Sequence, residues 1–238
     1  MAIDMTASLL QMATCRKYRR QIADYQGRRS VMGGTERMHG TVGILAYGSL
    51  IGDPGDEIEP FITSRIACQT PFPVEFARQS RTRKGAPTLV PSELGCPVKA
   101  EILVVELDAK EAADRLYRRE LHEVGSTKSY TPPKQPTPNR IIIESLTNFE
   151  GVATVLYTRI GATILHPTAA SLAEMAVASA RELSNGTDGI SYLDDAVKAG
   201  IETRLTKDYI AEILRLTGGN DLRDAIERIR DSRYQVQL

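Results

Sequence analysis

Val42-Gly43-Ile44-Leu45-Ala46-Tyr47-Gly48-Ser49-Leu50-Ile51-Gly52 is the stretch from which the fold is best read. Its first five residues are a short apolar run, and the run ends in a glycine-bearing loop, a combination that predicts a buried strand opening into a turn. Further strand candidates follow at 62–68, 74–79, 88–91 and 99–107, and two more at 140–146 and 152–158. Short strands with turn residues between them favour a small mixed or antiparallel β-barrel over a doubly wound parallel sheet, which needs a helix in nearly every connection.

Outward from the strands the pattern becomes helical. A helix is expected over 109–124, with Asp108 placed to cap its start and Gly125 to end it. The segment Thr131-Pro132-Pro133-Lys134-Gln135-Pro136-Thr137-Pro138 forbids helix and central strand alike and reads as an exposed loop over or near a site. From His166 onward helices dominate, opening at Ser171-Leu172-Ala173-Glu174, which has the spacing of a capping box. Others are expected at 192–199, 207–216 and 221–230, separated by Asn185-Gly186, Gly200 and Gly218-Gly219. The fold class is therefore α+β, a small mixed β-barrel with flanking and C-terminal helices. Residues 1–40, rich in Arg and Met, form a basic N-terminal extension with one amphipathic pattern over 6–25, read as a solvated or poorly ordered appendage. Residues 41–238 form the domain.

Composition narrows the partners. Lys and Arg total 30 and Asp and Glu total 30 in 238 residues, so no net field draws the molecule toward nucleic acid or an anionic membrane. A small neutral or zwitterionic ligand fits better. No apolar run approaches the roughly 20 residues that span a bilayer, and the order of apolar and basic residues near the N-terminus is the reverse of a signal peptide. Cys15, Cys68 and Cys96 are odd in number, widely spaced and free of any metal-ligand pattern. They point to a reducing, cytoplasmic setting and to no metal site. His39, His122 and His166 read as surface or structural residues.

Two features carry chemistry. The loop Tyr47 to Leu50 leaves the sheet ladder, so its amides are free to face a carboxylate or an oxyanion, with the Ser49 hydroxyl as a further donor. A tight turn at a strand end is the plainer reading. Ser49 lacks the second glycine of a hydrolase elbow, since position 51 is Ile, and so is not read as a nucleophile. The second feature is Glu120, which shares the apolar face of Ala113, Leu116, Tyr117 and Val124 at helical spacing, while Arg115, Arg118, Arg119 and His122 spread toward solvent. A carboxylate on an apolar face is costly unless paired, and desolvation moves such groups toward proton exchange near neutral pH. The alternative is an ion pair with Arg78, Arg81 or Arg83.

Together, Leu45-Ala46-Tyr47-Gly48-Ser49-Leu50, the pair Arg119-Glu120, and Asp188-Gly189-Ile190-Ser191-Tyr192-Leu193 with Ala199-Gly200-Ile201 resemble the γ-glutamylcyclotransferase superfamily, closest to its ChaC-like branch. Arg78 to Ser80, Gly85-Ala86-Pro87-Thr88-Leu89-Val90 and Gly95 follow in family order, over roughly residues 42 to 216. The resemblance implies a barrel of that type, acting without cofactor or metal on a γ-glutamyl peptide or amine such as glutathione. Its products would be 5-oxoproline and the freed amine. It also implies that Tyr47, Gly48, Ser49 and Leu50 hold the γ-glutamyl group and that Glu120 is the general acid/base. One departure is plain: the family pattern places glycines and an early Tyr after the Arg-Glu pair, whereas this chain reads Leu121-His122-Glu123-Val124-Gly125, with Tyr130 only later. The spacing of Glu123 to Tyr130 is similar to that in other branches of the superfamily, a resemblance that implies Glu123 as the rival base and Tyr130 as a further substrate contact.

Overall fold

The computed structural model describes residues 40–183 and 185–236. The expected helix over 6–25, Cys15 and His39 lie outside them. Seven strands are present among the described residues: β1 Val42–Ala46, β2 Ile62–Gln69, β3 Val74–Gln79, β4 Pro87–Pro91, β5 Lys99–Val105, β6 Ile142–Phe149 and β7 Val152–Arg159. Five helices accompany them: α1 Ala109–Glu120, α2 Ala169–Glu182, α3 Gly189–Lys198, α4 Thr206–Thr217 and α5 Leu222–Val236. The described residues fall in one compact unit, Gly40–Leu238.

The strands make two sheets and no closed barrel is formed among the described residues. Five strands lie in the order β2-β5-β1-β7-β6, while β3 pairs with β4 in a separate two-stranded sheet and makes one further antiparallel bridge, from Val74 to Cys96. β1 runs antiparallel to β5 and parallel to β7, so the sheet is mixed and the α+β class holds. Being central, β1 is buried on both faces, which is why it reads as an unbroken apolar run. Ile44 packs with Leu103 and Leu116 under α1, while Leu45, one residue on, packs with Ile102 and Val155 on the opposite face. The β3–β4 hairpin seats Phe76 in a second core with Leu172, Ile190, Tyr209 and Ile213 from α2, α3 and α4.

Helix termini follow local chemistry. Asp108 caps α1 by accepting from the Glu111 N–H at 2.8 Å. α1 stops four residues before its expected end. The Glu123 N–H bonds the Arg118 carbonyl at 2.9 Å and the His122 N–H bonds that of Arg119 at 3.1 Å. This is a Schellman closure with His122 (φ 56°), rather than Gly125, in the left-handed position. Val124 consequently leaves the apolar stripe and is exposed. α2 begins earlier than expected: Thr168 is its cap and Ser171 the third helical residue of the box, so Ser171 itself does not open the helix. None of the described helices is long and apolar enough to cross a membrane.

Candidate functional site

Tyr47 prolongs the extended path of β1, and the chain then turns at Gly48, where φ is 67°. A side chain at Gly48 would be strained and would bring a Cβ to 3.3 Å from the Tyr192 hydroxyl. Gly48–Leu50 forms a single 3-10 turn. Leu50 anchors it in the core beneath α1, with Ile58 and Leu116, and leaves Ser49 exposed.

Facing the turn is the C-terminal end of α1. Glu120 is its last residue, and it lines the same cavity of about 300 Å³ as Tyr47, Ser49 and Leu50. The helical phase thus brings Glu120 to the loop even though the helix is shorter than expected. Arg119 joins the two walls: its guanidinium donates to Ser49 Oγ at 3.2 Å, to the Asp53 carbonyl at 2.8 Å and to Glu120 Oε1 at 3.0 Å. The expectation that Arg119 points to solvent is corrected, since its side chain is only 14% exposed. Arg118 and Arg115 are likewise drawn in, by the carboxylate of Glu57 at 2.7 Å and its carbonyl at 2.6 Å. Helix periodicity could not register these partners because Asp53 and Glu57 come from a distant loop. The carboxylate pairing foreseen for Glu120 with Arg78, Arg81 or Arg83 is made instead by its neighbour Arg119.

The two other candidates lie elsewhere. Glu123 is ion-paired to Lys128 at 2.6 Å and does not line the cavity. Tyr130 is buried; its ring meets Tyr117 edge-on, and its hydroxyl accepts from the Ile143 N–H at 3.0 Å. It braces α1 against β6, and it is not among the cavity-lining residues.

Several lining residues carry no local sequence signal that marks them as site residues. Tyr192, one turn into α3, brings its hydroxyl to the cavity and accepts the Leu89 N–H at 3.3 Å. Its position is set by Asp188, whose Oδ1 caps α3 through the N–H groups of Ile190 and Ser191, both at 2.9 Å. The Tyr47 hydroxyl donates to the Thr158 carbonyl at 3.0 Å, tying the turn to β7. Burial first, and then the negative charge of Glu120, push the Tyr47 hydroxyl well above the ordinary phenol range. Burial also raises the Tyr192 hydroxyl, against the opposing Leu89 hydrogen bond and the Arg83 charge. Both phenols therefore stay protonated at neutral pH and serve as hydrogen-bonding groups, not bases. His122, read from sequence as ordinary, also lines the cavity.

The rim is formed by the end of β3, which contributes Arg78, and the β3–β4 connection, which contributes Arg81 and Arg83. Arg78 also fixes the end of the Pro-rich segment, donating to the carbonyls of Pro138 at 2.9 Å and Gly161 at 2.7 Å. Gly161 has to be glycine there, because a Cβ would fall 2.5 Å from Pro138 Cα. The Pro-rich loop is accordingly attached beside the cavity.

No protein-family model matches this chain, and no curated protein and no solved structure matches it. The chemistry has to be read from the cavity's own side chains. Among the described residues no cluster of His, Cys, Asp or Glu is arranged to hold a metal ion. Burial pushes the Cys68 thiol up to about 11, which disfavours the reactive thiolate.

Proposed function

We propose that the chain is a γ-glutamylcyclotransferase-like enzyme of the reducing cytoplasm, converting a γ-glutamyl peptide or amine to 5-oxoproline and the released amine. One observation carries the reading: Glu120 and the Tyr47–Leu50 turn, remote in sequence, line one cavity large enough for a small amino-acid derivative. On this reading the five-stranded sheet and the β3–β4 hairpin correspond to the small barrel of that superfamily.

The reaction asks little of the protein. The α-ammonium of a bent substrate gives a proton to Glu120, and the neutral amine attacks the γ-carbonyl carbon. The new ring C–N bond forms, Glu120 passes its proton to the leaving nitrogen as the original amide C–N bond breaks, and the carboxylate so freed takes the second proton from the ring nitrogen and hands it to the departing amine, which leaves as an ammonium. No protein nucleophile and no water are consumed. Turn amides and the Ser49 hydroxyl would hold the glutamyl carboxylate, and Tyr192, which accepts from Leu89, keeps its own hydrogen for the ligand. Holding amine and carbonyl in attack geometry supplies much of the rate, and proton transfer by Glu120 adds about 10² to 10⁴-fold.

The second reading, a non-catalytic module that binds a γ-glutamyl or other carboxylate ligand, is favoured by the Arg119–Glu120 contact, which occupies one oxygen of the proposed base. Incubation with a γ-glutamyl panel and mass spectrometry of products separates the two. Release of 5-oxoproline, abolished in Glu120→Gln with the fold intact, supports the enzyme. Tight binding without turnover supports the module, and free glutamate through a covalent intermediate on Ser49 or a cysteine would indicate a hydrolase or transferase.

A further inference from the structure

The cavity is strongly cationic in a chain whose total charges balance. Four arginines line it, Arg78, Arg81, Arg83 and Arg119, against the single carboxylate of Glu120. Arg119 is accounted for by its contact with Glu120. The other three have no carboxylate within ion-pair distance among the described residues. Arg78 spends its donors on the neutral oxygens of Pro138, Gly161 and Asn139. Arg83 donates to the Thr187 carbonyl at 2.9 Å and lies 4.6 Å over the Tyr192 ring. Arg81 is exposed at the mouth.

The loop holding these charges is built in place. The Ser80 N–H bonds the Ala86 carbonyl at 2.9 Å and the Gly85 N–H bonds that of Ser80 at 2.8 Å. From α2, Ser179 Oγ, itself fully buried, donates to the Arg83 carbonyl at 2.7 Å. Arg78 is held below its usual range by burial and then by the nearby charge of Arg81, so like charges are being kept together. A fold that holds unneutralised guanidinium groups close to one another lowers that repulsion when an anion enters.

A γ-glutamyl head carries one carboxylate and one ammonium and so brings no net charge. Glu120 and the turn suffice for it, and the arginine rim is left unmatched. We infer that the cavity selects γ-glutamyl compounds whose second half is itself dianionic, an acidic amine such as a dicarboxylic amino acid, with Arg81 and Arg83 as the specificity-determining residues. The inference rests on the cyclotransferase reading for the γ-glutamyl half and on the arginine rim alone for the anionic half.

The test compares γ-glutamylglutamate with γ-glutamylethylamide, by 5-oxoproline release and, separately, by calorimetric binding to the Glu120→Gln variant. The dianionic compound is expected to be favoured by roughly 10 to 100-fold at low salt, with the preference shrinking as salt rises. Arg81→Gln should reduce the ratio by about 5 to 10-fold, and Arg81→Lys should restore most of it, because the charge is kept at an exposed site. Turnover of both compounds at equal efficiency would overturn the inference and leave the cyclotransferase reading standing. Salt-sensitive binding that prefers the dianion, without turnover of either, would uphold the anionic selectivity and remove the enzymatic reading. Binding of neither would overturn both.

Discussion

Replacing Asp188 by Ala tests how the site is assembled. Asp188 is 1% exposed, and its carboxylate accepts from the N–H groups of Ile190 and Ser191 at 2.9 Å and from Ser191 Oγ at 2.7 Å. Losing an N-cap of this kind costs about 1 kcal/mol, up to about 2. The Ile190 N–H is buried and would be left without an acceptor, which adds about 1 to 3 kcal/mol. The expected destabilisation is therefore about 3 kcal/mol, and for a domain of this size each kcal/mol lowers Tm by about 2 to 4 °C. A fall of about 6 to 12 °C, with a matching shift of the urea midpoint at unchanged slope, is the predicted result. Asp188→Asn keeps an acceptor for both amides and should recover most of the loss. Because Tyr192 sits one turn into this helix, ligand affinity should weaken together with stability. An Asp188→Ala protein melting within about 2 °C of the parent would refute the assignment of this carboxylate as the anchor of α3.

Gly48→Ala should cost about 1 to 2 kcal/mol, since φ is 67° and the new methyl would press on the Tyr192 hydroxyl. Ligand affinity should fall beyond the stability loss, as read by calorimetry on the folded variant. Glu75 gives a pH signature: it is fully buried, and its Oε1 accepts the Phe76 N–H at 2.9 Å. Burial raises its carboxyl above the ordinary range, so the folded state favours the protonated acid. Its stabilising contribution is complete below the unfolded-state value and is lost as pH rises through the folded-state value. Glu75→Gln, neutral throughout, should therefore gain stability relative to the parent between about pH 4 and pH 7, as urea midpoints would show. A gain that instead grew toward acid would reverse the sign and sink the argument.

Much of the architecture follows from local pattern. Strand β3 falls on 74–79, as expected of a short strand between turn residues, and the others agree to within a few residues. The end of α1 does not, because a left-handed His122 closes the helix where Gly125 was the obvious terminator. Intrinsic preference for glycine is a weak signal beside a completed set of carbonyl bonds. Barrel closure also failed to follow from strand count. Register and partner choice decide whether β3 and β4 join the main sheet, and those are long-range properties.

The site divides along the same line. Sequence by itself determined that a buried strand ends in a permissive turn at Gly48 and that Glu120 shares the inward phase of α1, because both depend on neighbours a few residues away. Only the tertiary structure decided that the two meet. It gave Glu120 the company of Arg119, pointed Tyr192 into the cavity, left Glu123 with Lys128 and Tyr130 with β6, and set an arginine rim around the opening. Those outcomes turn on which distant backbone and carboxylate groups satisfy each polar side chain, a matter that local periodicity does not encode.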